Sequence, residues 1–144
     1  MINVKSPAIM PLWTPAQDES LGTAAVIAAW AVLRTSYVRR LAFTLKTAVV
    51  SSGSVVITFK RYPTHGSSAG AVTMGTVTVP AAALAGKCYY KDISAVKVSP
   101  SEMVVAEVTT ATAGGGAAGD GTAWIETEDS PEDVRNNTNM IASA

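Results

Sequence analysis

Tyr37-Val38-Arg39-Arg40-Leu41-Ala42-Phe43-Thr44-Leu45-Lys46 is the stretch on which the fold turns. From Leu41 onward it alternates, with Leu41, Phe43 and Leu45 on one side and Ala42, Thr44 and Lys46 on the other. Successive side chains of a strand point to opposite faces, so this spacing predicts a half-buried strand with one face on a core. Just downstream, Ser51-Ser52-Gly53-Ser54 has turn chemistry. The run that follows it, Val55-Val56-Ile57-Thr58-Phe59-Lys60-Arg61-Tyr62, is rich in β-branched and aromatic residues. The two runs together predict a hairpin.

The same signals recur outward from this centre. Residues 72–79 alternate and stop at Pro80, and residues 81–84 suit a helical turn before Gly86. Cys88-Tyr89-Tyr90 and Ala95-Val96-Lys97-Val98 read as short strands on either side of Asp92. Residues 103–110 form a further strand, and the small-residue stretch 113–121 is a loop leading into the strand 122–127. Residues 21–33 are apolar at nearly every position, which predicts a buried strand and leaves a short helix open. Seven or eight short strands separated by turn chemistry make the chain all-β: a single antiparallel β-sandwich or jelly roll over residues 21–130. Its expected core is Leu41, Phe43, Val56, Ile57, Val77, Val79, Val104, Val108 and Ile125.

The two ends differ from the middle. Pro7, Pro11 and Pro15 make residues 1–20 an extended arm, since each removes a backbone donor and restricts the residue before it. The arm nevertheless carries Ile2, Met10, Leu12 and Trp13, so it is expected to lie on its own domain, a neighbouring copy or a scaffold. Ser130-Pro131-Glu132-Asp133 has the form of a helix start, but the asparagines after it do not sustain a helix. Residues 131–144 are therefore a short tail carrying Val134, Met140 and Ile141. Ile2, Met10, Leu12, Trp13, Val134, Met140 and Ile141 are the expected subunit contacts.

Composition narrows the functional classes. The chain is 48% hydrophobic and 15% charged, against about 25% charged in an average domain, which predicts apolar surface covered by partners. Its 11 basic residues balance 11 acidic ones, so the basic stripe of a nucleic-acid binder is missing. The longest apolar run, residues 24–33, is half of what a membrane helix needs, about 20 residues. The N-terminus lacks the pattern of a secretory signal, which predicts a protein that folds in a cytoplasm.

The chemistry-bearing residues are few. Cys88 is the single cysteine and is expected to be a small buried hydrophobe. His65 is the single histidine, in a loop expected to be solvated, and no nucleophile elbow accompanies it. One Cys and one His make no zinc site, and no Asp-x-Asp-x-Asp run supports calcium. Trp124, Glu126 and Glu128 share one strand face, with Glu107 expected across a hairpin from them. An aromatic platform beside paired carboxylates suits sugar binding, although solvated acids are the commoner origin of such a pattern. The expectation is a protein without cofactor or catalytic centre.

Val38-Arg39-Arg40-Leu41-Ala42-Phe43, Val56-Ile57-Thr58-Phe59-Lys60-Arg61 and Gly86-Lys87-Cys88-Tyr89-Tyr90-Lys91-Asp92 resemble segments of small virion proteins of tailed bacteriophages. Pro131-Glu132 followed by Asn136-Asn137-Thr138-Asn139-Met140 adds to the likeness, which spans residues from about 25 to the C-terminus. The resemblance implies a jelly-roll capsid decoration (cement) protein. Such a protein sits outside the phage head in contact with the major capsid protein, clamps neighbouring capsomers as a homo-dimer or homo-trimer, and has no active site. It would be assembled in the host cytoplasm. The proline-rich arm is not part of that pattern. The alternatives are a small carbohydrate-binding β-sandwich and a neck or tail component.

Overall fold

The structure is a computed structural model that describes residues 8–11, 19–50, 53–111 and 119–129. Among the described residues nine strands run in the order β1 (Ala8–Pro11), β2 (Glu19–Ser20), β3 (Val26–Ala31), β4 (Ser36–Thr47), β5 (Val55–Tyr62), β6 (Val72–Val79), β7 (Cys88–Val98), β8 (Met103–Thr110) and β9 (Asp120–Asp129). The described residues contain no helix. One sheet has the order β1-β9-β4-β7, with β2 also on β9, and the other has the order β3-β8-β5-β6. Every pairing is antiparallel.

β1 lies opposite residues 124–127 of β9 and β2 opposite Asp120 and Gly121, so the two share one edge of the first sheet. Counted as one position, they give two four-stranded sheets. From β2 onward every connection crosses from one sheet to the other except β5 to β6, which pair directly. That path is the jelly-roll route through a β-sandwich. The middle of the N-terminal arm is thereby part of its own domain. Pro11 is tolerated in β1 because an edge strand needs only one side of its backbone for pairing.

The period-two reading of β4 holds: Leu41, Phe43 and Leu45 are fully buried. They meet Ile57, Val77, Val79, Val104 and Val108 from the other sheet, with Ile125 beside them on β9. Burying each such side chain is worth about 1.5–3 kcal/mol, so the inter-sheet layer dominates stability. Gly121 lies on β9 opposite Leu45 of β4. A Cβ there would lie 2.1 Å from the Thr44 carbonyl oxygen and 2.8 Å from the Phe43 ring, so only glycine fits.

Several expectations are corrected. β4 and β5 are not a hairpin: they belong to different sheets, and the connection carries Val49 into the core, where its N–H donates to the Ala83 carbonyl at 2.9 Å. Val56 is not a core residue. Val55 and Ile57 on either side of it fill the core, and the unbroken Val-Val-Ile run hides which parity points inward. The two short strands around Asp92 are one continuous β7, whose many exposed positions reflect an edge strand. Residues 81–84 make a turn, with Ala82 at φ 54°, and not a helical turn. Residues 21–33 contain the edge strand β3, with Ile27 and Ala28 buried and Ala29 and Ala31 exposed. The helix start expected at 130–133 lies outside the described residues.

Candidate functional site

Leu41 and Phe43 point into the core, so the residues between and beside them, Arg40, Ala42 and Thr44, point outward from the first sheet. Register then fixes their neighbours. Arg40 lies between Glu126 of β9 and Asp92 of β7. Ala42 lies between Trp124 and Tyr90, and Thr44 between Thr122 and Cys88. Three strands thus present three cross-strand rows: Glu126–Arg40–Asp92, Trp124–Ala42–Tyr90 and Thr122–Thr44–Cys88. A bulge in β4 between Val38 and Arg40 also turns Arg39 outward, where it pairs with Glu128.

Electrostatics hold this face together. Arg40 Nε donates to Asp92 Oδ1 at 2.6 Å, and its Nη1 is 3.4 Å from Glu126 Oε2. Its guanidinium carbon lies 4.8 Å from the centre of the Tyr90 ring, a cation–π distance. The hydrogen bond to Asp92 raises the Arg40 pKa most; partial burial opposes it, and the charges of Asp92 and Glu126 add to it. An arginine is charged across the accessible pH range anyway. The effect of these contacts is therefore to fix the guanidinium in place and not to switch it.

The aromatic row is built differently. The Trp124 indole N–H donates to Thr44 Oγ1 at 3.0 Å, so the ring reaches diagonally across β4. Ala42 is fully buried although it faces outward, and its cross-strand neighbours are Trp124 and Tyr90. Tyr90 itself is 60% exposed. A ring beside a small residue on a firm sheet offers a flat apolar platform, and the neighbouring row offers hydrogen-bond donors and acceptors.

The face does not assemble an acid–base pair. Paired-carboxylate hydrolysis needs two carboxyl groups facing each other across a substrate gap, and here Arg40 stands between Glu126 and Asp92. Trp124, Glu126 and Glu128 do share one face, as their spacing predicts. Glu107 does not join them. β8 is in the other sheet, and Glu107 accepts a hydrogen bond there from Lys60 Nζ at 2.5 Å. Cys88 is exposed and not buried, because it faces outward on the edge strand. His65 is an exposed turn residue whose Nε2 lies 2.9 Å from the Glu102 carbonyl oxygen. Among the described residues no three His, Cys, Asp or Glu side chains converge on a metal position.

Of the expected subunit contacts, Met10 falls on β1, where its backbone partner is Ile125. Ile2, Leu12, Trp13, Val134, Met140 and Ile141 lie outside the described residues. The residues that sequence reasoning missed are Arg40, Ala42, Tyr90 and Asp92. Only the pairing of β4 with both β7 and β9 brings them beside Trp124 and Glu126, and that pairing leaves no mark in local spacing. Comparison with family models, with curated proteins and with solved structures returns no match.

Proposed function

We propose that the chain is a structural virion protein, a decoration protein that binds the outside of a tailed-phage head and stabilises contacts between neighbouring capsomers. It acts by surface contact, without catalysis or cofactor. Its partners are the major capsid protein and further copies of itself in a dimer or trimer. The observation that carries this reading is the jelly-roll path, an architecture used by capsid proteins, in a chain whose segments β4, β5 and β7 carry the likeness to virion proteins. Fold alone does not assign function, and the outward face adds support of its own kind. Its charges are paired with one another, which leaves a surface of fixed shape and little net field, suited to contact between proteins.

The same architecture also hosts lectins, and the Trp124–Ala42–Tyr90 row favours a second reading as a carbohydrate-binding module. One pair of measurements separates the two. The purified protein is mixed with phage heads lacking decoration and sedimented, and in parallel passed over immobilised glycans. Saturable co-sedimentation with heads and no glycan retention is the expected result. Binding to tails or necks alone would reassign it within the virion, and glycan retention without particle binding would replace the virion reading.

A further inference from the structure

At the end of the sandwich where β3 turns into β4, the sheets do not close on each other, and an apolar pocket of about 380 Å³ opens between them. Val98, Val104 and Ile125 line its depth, Ser36 and Thr127 supply hydroxyls, and the β3–β4 turn forms the lip with Leu33 and Arg34. Protein interiors pack at crystal density with few voids, and an apolar cavity of about 150 Å³ already takes up benzene. A space this large and this apolar is a seat for several aliphatic side chains.

Two observations indicate which ones. β9 lines the pocket with Ile125 and Thr127 and ends at Asp129, whose register partner Ser36 is itself a lining residue. The chain therefore enters residues 130–144 at the rim of the pocket. Val134 follows Asp129 by five residues, a reach of about 17 Å when extended. Met140 and Ile141 follow on the same tether. The second observation is charge: the tail opens with the acidic Glu132-Asp133, and the lip carries the cationic Arg34.

We infer that this pocket is the socket for the chain's own C-terminal segment, residues 130–144. Val134, Met140 and Ile141 fill it, and Glu132-Asp133 rest against the lip at Arg34. A tether this short gives the tail an effective concentration that a free partner does not reach. The inference concerns the protein on its own and stands apart from the virion reading.

Trypsin supplies the test, because Arg135 lies inside the proposed plug. Cleavage of a docked segment tracks the fraction of time it is undocked. Release of residues 136–144 is followed by mass spectrometry in the full chain, in Met140→Glu/Ile141→Glu, and in Ala31→Phe, which crowds the pocket mouth from an exposed position. Cleavage after Arg135 is expected to speed up about tenfold or more in both variants, with brighter fluorescence of an apolar dye in the tail variant. Equal cleavage rates in all three proteins would overturn the assignment. So would protection that grows with protein concentration, which marks the tail of a second copy, or dye uptake that follows deletion of residues 2–7 and not the tail change.

Discussion

On the inner side, β4 of the first sheet offers Leu41, Phe43 and Leu45, and β5 of the second sheet offers Val55, Ile57 and Phe59, all fully buried. The outer sides of the same strands have little in common. Outside β4 stand Arg40 between two carboxylates and Ala42 between two aromatic rings. Outside β5 stand Val56 and Thr58, with Thr58 Oγ1 and Thr109 Oγ1 2.8 Å apart, and the ion pair Lys60–Glu107. The inner faces answer to one shared requirement, closure of a core, and so converge on the same side chains. The outer faces are released from that requirement. The first sheet uses its freedom to fix an array of charged and aromatic groups, and the proposed contact with a partner is assigned to it.

The largest effects test the likeness of the inner faces. Phe43→Ala and Phe59→Ala should each cost about 3–5 kcal/mol in denaturant unfolding. A Phe59 loss under about 1 kcal/mol would reduce the second sheet to a cover over a core made by the first. A smaller effect tests the outer array. Trp124→Ala removes the hydrogen bond to Thr44 and the ring beside Ala42, and should cost about 1–3 kcal/mol while lowering partner binding more than stability. A Thr58→Ala variant that lowers partner binding as much as Trp124→Ala would break the contrast between the faces.

The smallest effect belongs to the Lys60–Glu107 ion pair outside the second sheet. The hydrogen bond to Glu107 raises the Lys60 pKa above its ordinary 10.5, against a lesser opposing effect of burial. The charged lysine is thus favoured in the folded state. Its stabilising contribution is complete below about pH 10 and fades as pH rises through the raised value. Lys60→Gln should lower stability by about 0.2–1 kcal/mol at pH 8, and the gap to the parent should narrow above pH 11. A gap that is constant across that range would assign the loss to packing of the lysine stem and not to its charge.

The parity of β4 is open to reading because the large apolar residues Leu41, Phe43 and Leu45 alternate there with the small or polar Ala42, Thr44 and Lys46, and Trp124, Glu126 and Glu128 likewise alternate with their neighbours on β9. Where three large β-branched residues follow one another, as at Val55-Val56-Ile57, period two leaves no trace, and Val56 takes the outer side. Lys91-Asp92 looked like a break because charged residues usually mark strand ends, yet on an edge strand they are tolerated in mid-run and discourage unwanted pairing. Ser51-Ser52-Gly53-Ser54 reads as the turn of a hairpin, yet the strands on either side of it, β4 and β5, lie in different sheets. Turn chemistry carries no information on whether the next strand joins the same sheet or the opposite one. The rows through Arg40 and Ala42 were out of reach for the same reason, since they join residues about 50 and 80 positions apart in the chain.

The position of β9 sets the order in which the molecule can be made. It lies between β1 and β2 on one side and β4 on the other, yet it is the last of the described strands to be synthesised. Until it emerges, β1 and β2 have no partner, one edge of β4 stands open, and Phe43 lacks the close backbone cover that Gly121 provides. A nascent chain halted before residue 120 therefore holds an unfinished first sheet, whatever its second sheet has achieved. Folding dominated by such distant pairings runs in milliseconds to seconds and not microseconds. The open β4 edge during that interval is where a chaperone, or a second incomplete chain, would find its purchase.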